Sequence, residues 1–181
     1  MKLLFETLKV SSEIRLRIPK TSDHNAFFEL IYESNPYLSP WLDWPNKIST
    51  PQAAVIMLRE MMLFNQGGQK FFSFLEKNGQ LVGSIALMRI DPKNFSAEVG
   101  FWKSPTQISP QEMRSVGHAF CQACFEKSFL KRLSIRCRAD NQAAIQFAKD
   151  LGFDKEGQQK AAIFHKNNFY DQVLFGKIPL S

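Results

Sequence analysis

The sequence predicts an α/β (α+β) protein whose mixed, mostly antiparallel sheet is flanked by helices. Three observations predict it. Two strand-like runs, Phe71 to Leu75 and Leu81 to Met88, flank Asn78-Gly79, the strongest short hairpin signal in the chain. A third strand-like run, AEVGFW, follows after the turn-rich DPKNFS. The second half then alternates helix, strand, helix, strand, strand, which joins parallel character to an antiparallel sheet.

Taken in order, EIRLRI (residues 13–18) alternates charged and apolar side chains, the pattern of a half-buried strand. SDHNAFFELIYES opens with the capping types Ser22 and Asp23 and sets Ala26, Phe27, Leu30 and Ile31 at helical spacing. An aromatic and proline-rich stretch, NPYLSPWLDWPN, leads to STPQAAVIMLREMMLF, where Thr50 is the N-cap and Pro51 the first helical residue. Met113, Val116, Phe120, Ala123 and Cys124 mark a further helix. LSIRC reads as a strand, and NQAAIQFAKDLGF as a helix stopped at Gly152. AAIFH and QVLFGKI form a closing strand pair around Lys166-Asn167-Asn168.

With 181 residues the chain is expected to form a single domain over residues 1–181, long enough to bury one sizeable core. Its 44% hydrophobic and 22% charged content excludes a disordered protein, and no stretch reaches the ~20 apolar residues of a membrane helix. Glu6 interrupts the apolar start and no small-residue cleavage site follows, so no signal peptide is read and the cytoplasm is the default compartment. Three cysteines argue against a disulfide framework. Cys121 and Cys124 form a C-x-x-C inside a helical pattern, without the second pair a zinc site needs, and read as buried, inert thiols; no metal is expected. The net charge of +6 concentrates in Lys127, Lys131, Arg132, Arg136 and Arg138, without interleaved aromatics, so a solvated face is favoured over nucleic-acid binding.

Four stretches together, NPYLSPWLDWP, LVGSIALMRIDPKNFSAEVGFW, DNQAAIQFAKDLGF and NNFYDQVLF, resemble the GNAT acetyltransferase superfamily, and more narrowly its RimJ/RimL-like ribosomal-protein N-terminal acetyltransferases. The resemblance covers essentially the whole chain. It implies an N-acetyltransferase that uses acetyl-CoA as co-substrate and a peptide or small-molecule amine as acceptor, in a monomer or homodimer. It further implies central strands that splay apart to admit the pantetheine arm, with the backbone of Val99, Gly100 and Phe101 pairing with that arm. The following turn and helix start, at Gln111, Glu112, Met113 and Arg114, would hold the pyrophosphate. Glu98 matches a glutamate of the family strand and is the candidate general base. Asn141 matches an asparagine that contacts the cofactor arm, although a helix N-cap explains it equally well. Tyr37, Trp41 and Trp44 fall on the acceptor side of the Rim-like group, with Asp43 and Glu33 as partners for a cationic amine.

Two positions depart from the family. Its pyrophosphate turn, Q-x-x-G-x-M in this branch, falls on residues 108–113, where only Met113 agrees; the glycine has become Gln111 and the first polar position Ile108. Ser109-Pro110-Gln111-Glu112 instead fits a capping box with proline at the first helical position. Such a helix caps itself, occupying the amides a phosphate would seek and setting a carboxylate beside them, so weakened pyrophosphate binding is expected, with Lys103 and Arg114 as compensating cations. Relatives often carry a serine three residues after the asparagine as general acid; here Ala144 has no proton to give, and Tyr170 is the one candidate substitute. These departures favour, as the alternative, a GNAT-fold binding or regulatory protein.

Overall fold

Asn78 and Gly79 both take positive φ, 51° and 82°, as a two-residue hairpin turn requires, and they join β3 (Phe71–Lys77) to β4 (Gln80–Asp91). The computed structural model describes residues 4–179. Around that hairpin the order is β1 (Thr7–Lys9), β2 (Ile14–Arg17), α1 (His24–Leu38) and α2 (Pro51–Gly67), then β3, β4 and β5 (Ser96–Lys103). The chain continues as α3 (Pro110–Lys127), β6 (Arg132–Arg138), α4 (Gln142–Asp150), β7 (Asp154–His165) and β8 (Asn168–Lys177). The strands form one eight-stranded sheet in the order β1-β2-β3-β4-β5-β6-β8-β7, antiparallel except between β5 and β6.

The mixed sheet and its helices are those the sequence predicts, with four corrections. β1 carries no periodic signal of its own and forms by pairing with β2, Leu8 opposite Leu16. α1 runs through Pro36 to Leu38, so Tyr37 lies in its last turn rather than in a loop. Ser22 and Asp23 do not cap it: Asp23 receives the Lys20 amide at 2.7 Å and two Arg17 guanidinium bonds at 2.7 Å each. β7 begins at Asp154, well before AAIFH, because an outer strand paired with β8 needs no apolar alternation.

Two apolar clusters cover the two faces of the sheet. On one, Phe27, Leu30 and Ile31 of α1 and Ala54, Leu58 and Met61 of α2 pack on Phe74, Leu81 and Trp102. On the other, Val116, Phe120 and Cys124 of α3 and Phe147 and Ala148 of α4 pack on Val99, Leu133 and Phe175. α3 and α4 approach so closely that a Cβ on Gly117 would sit 2.7 Å from the Leu151 methyls. Cys121 and Cys124 lie in this second core, and burial pushes the Cys121 thiol up to about 11 and Cys124 upward too, as inert thiols require. Among the described residues no helix is long and apolar enough to cross a membrane.

Candidate active site

Strand alternation sets which side chains share a face. Ala97 and Val99 belong to the α3/α4 core and Trp102 to the α1/α2 core, so Glu98, Gly100 and Trp102 point to the α1/α2 side of β5. Arg136 and Arg138 point the same way from β6, opposite to Leu133 and Ile135. Gly100 has room for a methyl group, 3.5 Å from Met88 Cγ, so the missing side chain leaves this face of β5 clear rather than relieving a clash.

β5 and β6 pair over only three positions, Ser96↔Arg132, Ala97↔Leu133 and Glu98↔Ser134. Past Glu98, β5 keeps β4 as partner out to Lys103↔Gly83, and β6 keeps β8 out to Arg138↔Gln172, but the two strands have no register with each other. Their inner edges, Val99 to Lys103 and Ile135 to Arg138, therefore border a cleft in mid-sheet whose backbone groups are open to an inserted chain. Val99, Gly100 and Phe101 lie on that edge, and Phe101 packs on Phe147 of α4 at 4.3 Å between ring centroids, closing the cleft from below.

At the α3 end, both halves of the capping box are formed. Glu112 N donates to Ser109 Oγ at 3.2 Å, and Ser109 N donates to Glu112 Oε2 at 2.9 Å. Met113 N bonds the Ser109 carbonyl and Pro110 has no N–H, which leaves the Gln111 amide as the first-turn donor without a partner among the described residues. A residue not anticipated completes the arrangement: Lys77, ending β3, sets its ammonium 2.8 Å from Glu112 Oε1. Lys77, with the Ser109 bonds, holds the Glu112 carboxyl down to about 2. Ile108 is 2% exposed and fills the core, which explains an apolar residue at the family's polar position. The expected compensating cations are engaged elsewhere. Lys103 donates to the carbonyls of Ser104 and Ile108 at 3.1 and 3.0 Å, burial holding its pKa below the usual lysine value, while Arg114 pairs with Asp150 at 3.3 Å.

Glu98 stands at the apex of the cleft, the last residue of β5 paired with β6. Its Oε2 lies 3.2 Å from Arg136 Nε and 3.3 Å from Arg89 Nη1. These contacts are ionic without hydrogen-bond alignment, so this buried oxygen has no hydrogen-bond donor. Arg89 reaches it from a left-handed backbone, φ 45°, at the β4 bulge between Met88 and Asp91. The two arginines give Glu98 an environment the sequence did not disclose, since Arg89 is 9 residues and Arg136 is 38 residues away along the chain.

Asn141 is the N-cap of α4, its Oδ1 accepting from Ala144 N at 3.1 Å. The segment after α1 spans the mouth of the cleft: Trp44 lies 5.6 Å from Trp102 of β5, and Trp41 lies 4.9 Å from the Arg138 guanidinium of β6. Asp43, proposed by the sequence as an amine partner, accepts instead from His165 Nδ1 at 2.6 Å, and Glu33 lies on a separate hollow beside Arg17 and Glu76. Tyr170 lies under the Arg138 guanidinium, 3.5 Å from its ring centroid, at the open end of β6.

A sheet whose one parallel junction opens between β5 and β6, with a carboxylate at its apex, is the acyl-transfer scaffold that the sequence resemblance implies, and the self-capped helix at its end is the departure from it. The chain belongs to the GNAT acetyltransferase domain family, which it matches over residues 16–174. It is similar to the ribosomal-protein-serine acetyltransferase of Escherichia coli (strain K12), 28% identical over 96% of this chain and 97% of that protein. Among solved structures it resembles the microcin C7 self-immunity acetyltransferase MccE in complex with acetyl-CoA and AMP, with a TM-score of 0.92 at 22% identity, covering 98% of this chain and 99% of that one. The ribosomal L7/L12 alpha-N-protein acetyltransferase RimL in complex with coenzyme A has the same TM-score of 0.92 at 24% identity, covering 96% and 98%. The protein is thus an acyltransferase of the GNAT family.

Proposed function

We propose that this protein transfers the acetyl group of acetyl-CoA to the α-amine of a protein or peptide N-terminus. The observation that carries the reading is the opening of β5 from β6 after three residue pairs, which leaves two inner strand edges for the amide-bearing pantetheine arm. The likeness to the ribosomal-protein-serine acetyltransferase supports a protein N-terminus as acceptor.

Acetyl-CoA supplies the activated acyl thioester. The residues of this chain bind and orient it and move protons. Backbone amides along Val99 to Phe101 hold the extended arm and polarise the acyl oxygen. Glu98, on the acceptor face at the apex, takes the proton of the incoming amine as its nitrogen bonds the acyl carbon and the carbon–sulfur bond breaks. Arg136 and Arg89 balance the carboxylate before transfer. The leaving thiolate is protonated from solvent, since the buried Ala144 offers no donor. The pyrophosphate end fits less well, because Glu112 lies where negative charge must approach and Gln111 alone offers a free amide there.

Mass spectrometry of a panel of synthetic peptides with different first residues, incubated with acetyl-CoA, tests the reading. N-terminal acetylation dependent on enzyme is expected. Absence of transfer from a protein that gives no calorimetric heat or thermal shift with millimolar acetyl-CoA would refute it and leave the fold as a binding or regulatory module.

A further inference from the structure

The segment Ser39 to Lys47 has few bonds of its own across the cleft. The amides of Trp41 and Leu42 fold back on the Leu38 carbonyl, and Ile48 N bonds Pro45 O. Ser39 N bonds the Asn35 carbonyl and Leu42 packs on the α1/α2 core. The far end of the sequence adds two further holds: His165 contacts the Ser39 carbonyl at 3.0 Å and Asp43 at 2.6 Å, and Arg138 holds Pro40 and Trp41. Arg138 Nη1 donates to the Pro40 carbonyl at 2.8 Å, and the same guanidinium lies between two rings, Tyr170 at 3.5 Å and Trp41 at 4.9 Å. Asp140 aligns it from its edge, accepting from Nε at 3.0 Å. The Arg138 side chain is only 9% exposed, whereas Trp41 keeps 38% of its surface open. Arg138 is also the last residue of β6, the arm of the cleft that Trp41 overhangs.

From this we infer that Arg138 is a positioning residue for the acceptor: it clamps Pro40 and Trp41 to the β6 arm, so that the outer face of the indole is presented, pre-ordered, to the peptide that enters the cleft mouth. The inference rests on the acceptor reading proposed above. Its physical basis is that a planar guanidinium bonds and stacks at once. One group supplies the edge donors for Pro40 and Asp140 and the flat faces for Trp41 and Tyr170, which an ammonium cannot do. A wall ordered before binding spares the peptide the entropy of ordering it, so loss of the clamp falls on peptide affinity. The donor pairs with backbone groups of the inner strand edges; segment 39–47 lends none of them, and replacing the Arg138 side chain leaves the β6 backbone, held by β8 out to Arg138↔Gln172, in place.

The test compares wild type with Arg138→Met and Arg138→Lys, using acetyl-CoA and a synthetic peptide beginning with serine. Arg138→Met is expected to raise the peptide KM about tenfold while leaving the acetyl-CoA KM within about twofold. Arg138→Lys, which keeps the charge and loses the plane, is expected to recover less than half of that loss. Hydrogen exchange of residues 39–43 is expected to speed up in both variants with exchange in β4 and β5 unchanged. Parallel changes in both KM values, full rescue by lysine, or unchanged exchange at 39–43 would each overturn the assignment. Should the wild type bind acetyl-CoA yet leave the peptide unmodified, the acceptor reading fails, and the exchange experiment still decides whether Arg138 orders the segment.

Discussion

Lys77 Nζ lies 2.8 Å from Glu112 Oε1, so the end of β3 grips the carboxylate that caps α3. This ties the sheet to the helix start, where the family resemblance implies a pyrophosphate turn, and sets the protein's own anion beside the first-turn amides. Glu112→Gln keeps an oxygen to accept from Ser109 N but removes the charge. Acetyl-CoA is expected to bind the variant about fivefold more tightly, as relief of one like-charge contact in a partly screened site implies. Titration calorimetry reads the change. The gain is expected to shrink in Lys77→Met/Glu112→Gln, because the carboxylate is still gone but the freed ammonium is then absent. Equal or weaker binding by the single variant contradicts this account of the turn.

The same carboxylate sets a pH dependence. Its pKa is lowered from an ordinary 4.5 to about 2, first by the Lys77 ammonium and then by the Ser109 amide. A folded value below the unfolded one means that the ionised group stabilises the fold: the contribution is complete above 4.5 and disappears as pH falls through about 2. The difference in thermal midpoint between wild type and Glu112→Gln should accordingly be constant above about pH 5 and shrink toward zero on acidification to the folded pKa.

How far the sequence discloses this protein follows from the range of each interaction. The capping box at Ser109 and Glu112, the Asn78-Gly79 hairpin and the Asn141 cap are set by residues within four positions of one another, and all three form as read. The widening between β5 and β6 is foreshadowed only by the family resemblance, because no local pattern records where a parallel pair stops. Lys77 on Glu112, Arg136 on Glu98 and Arg138 on Trp41 each join residues more than thirty positions apart, where composition shows nothing beyond a basic stretch. That stretch is in large part ion-paired: Arg132 meets Glu156, Arg136 meets Glu98 and Arg138 meets Asp140. The missed β1 and the early start of β7 are peripheral strands whose formation depends on the neighbour they pair with.

Glu98→Gln isolates the proposed base. Glutamine keeps the shape and loses the proton acceptor, while the inner edge at Val99 to Phe101 is untouched. Turnover with a serviceable peptide is expected to fall about 100-fold or more, the usual size of a general-base contribution, with acetyl-CoA affinity changed by less than about threefold. Single-turnover kinetics beside calorimetry separates the two. A loss of affinity matching the loss of rate would make Glu98 a structural partner of Arg136 and Arg89 instead.

Burial, rather than pairing, decides what an arginine contributes in the β2–β3 ladder. Arg15 and Arg17 both reach Glu76, but their side chains are 52% and 10% exposed, and Arg17 also bonds Asp23, itself 10% exposed. Arg15→Ala leaves Glu76 its buried partner and removes an exposed one, so it is expected to cost less than about 1 kcal/mol. Arg17→Met retains the packing of the aliphatic stem but strands the buried carboxylate of Asp23 and leaves the buried Glu76 only its exposed partner, Arg15. Its expected cost is about 3–5 kcal/mol. Urea unfolding monitored by tryptophan fluorescence measures both variants, and equal costs for the two arginines would show that the ladder does not distinguish a buried charge from an exposed one.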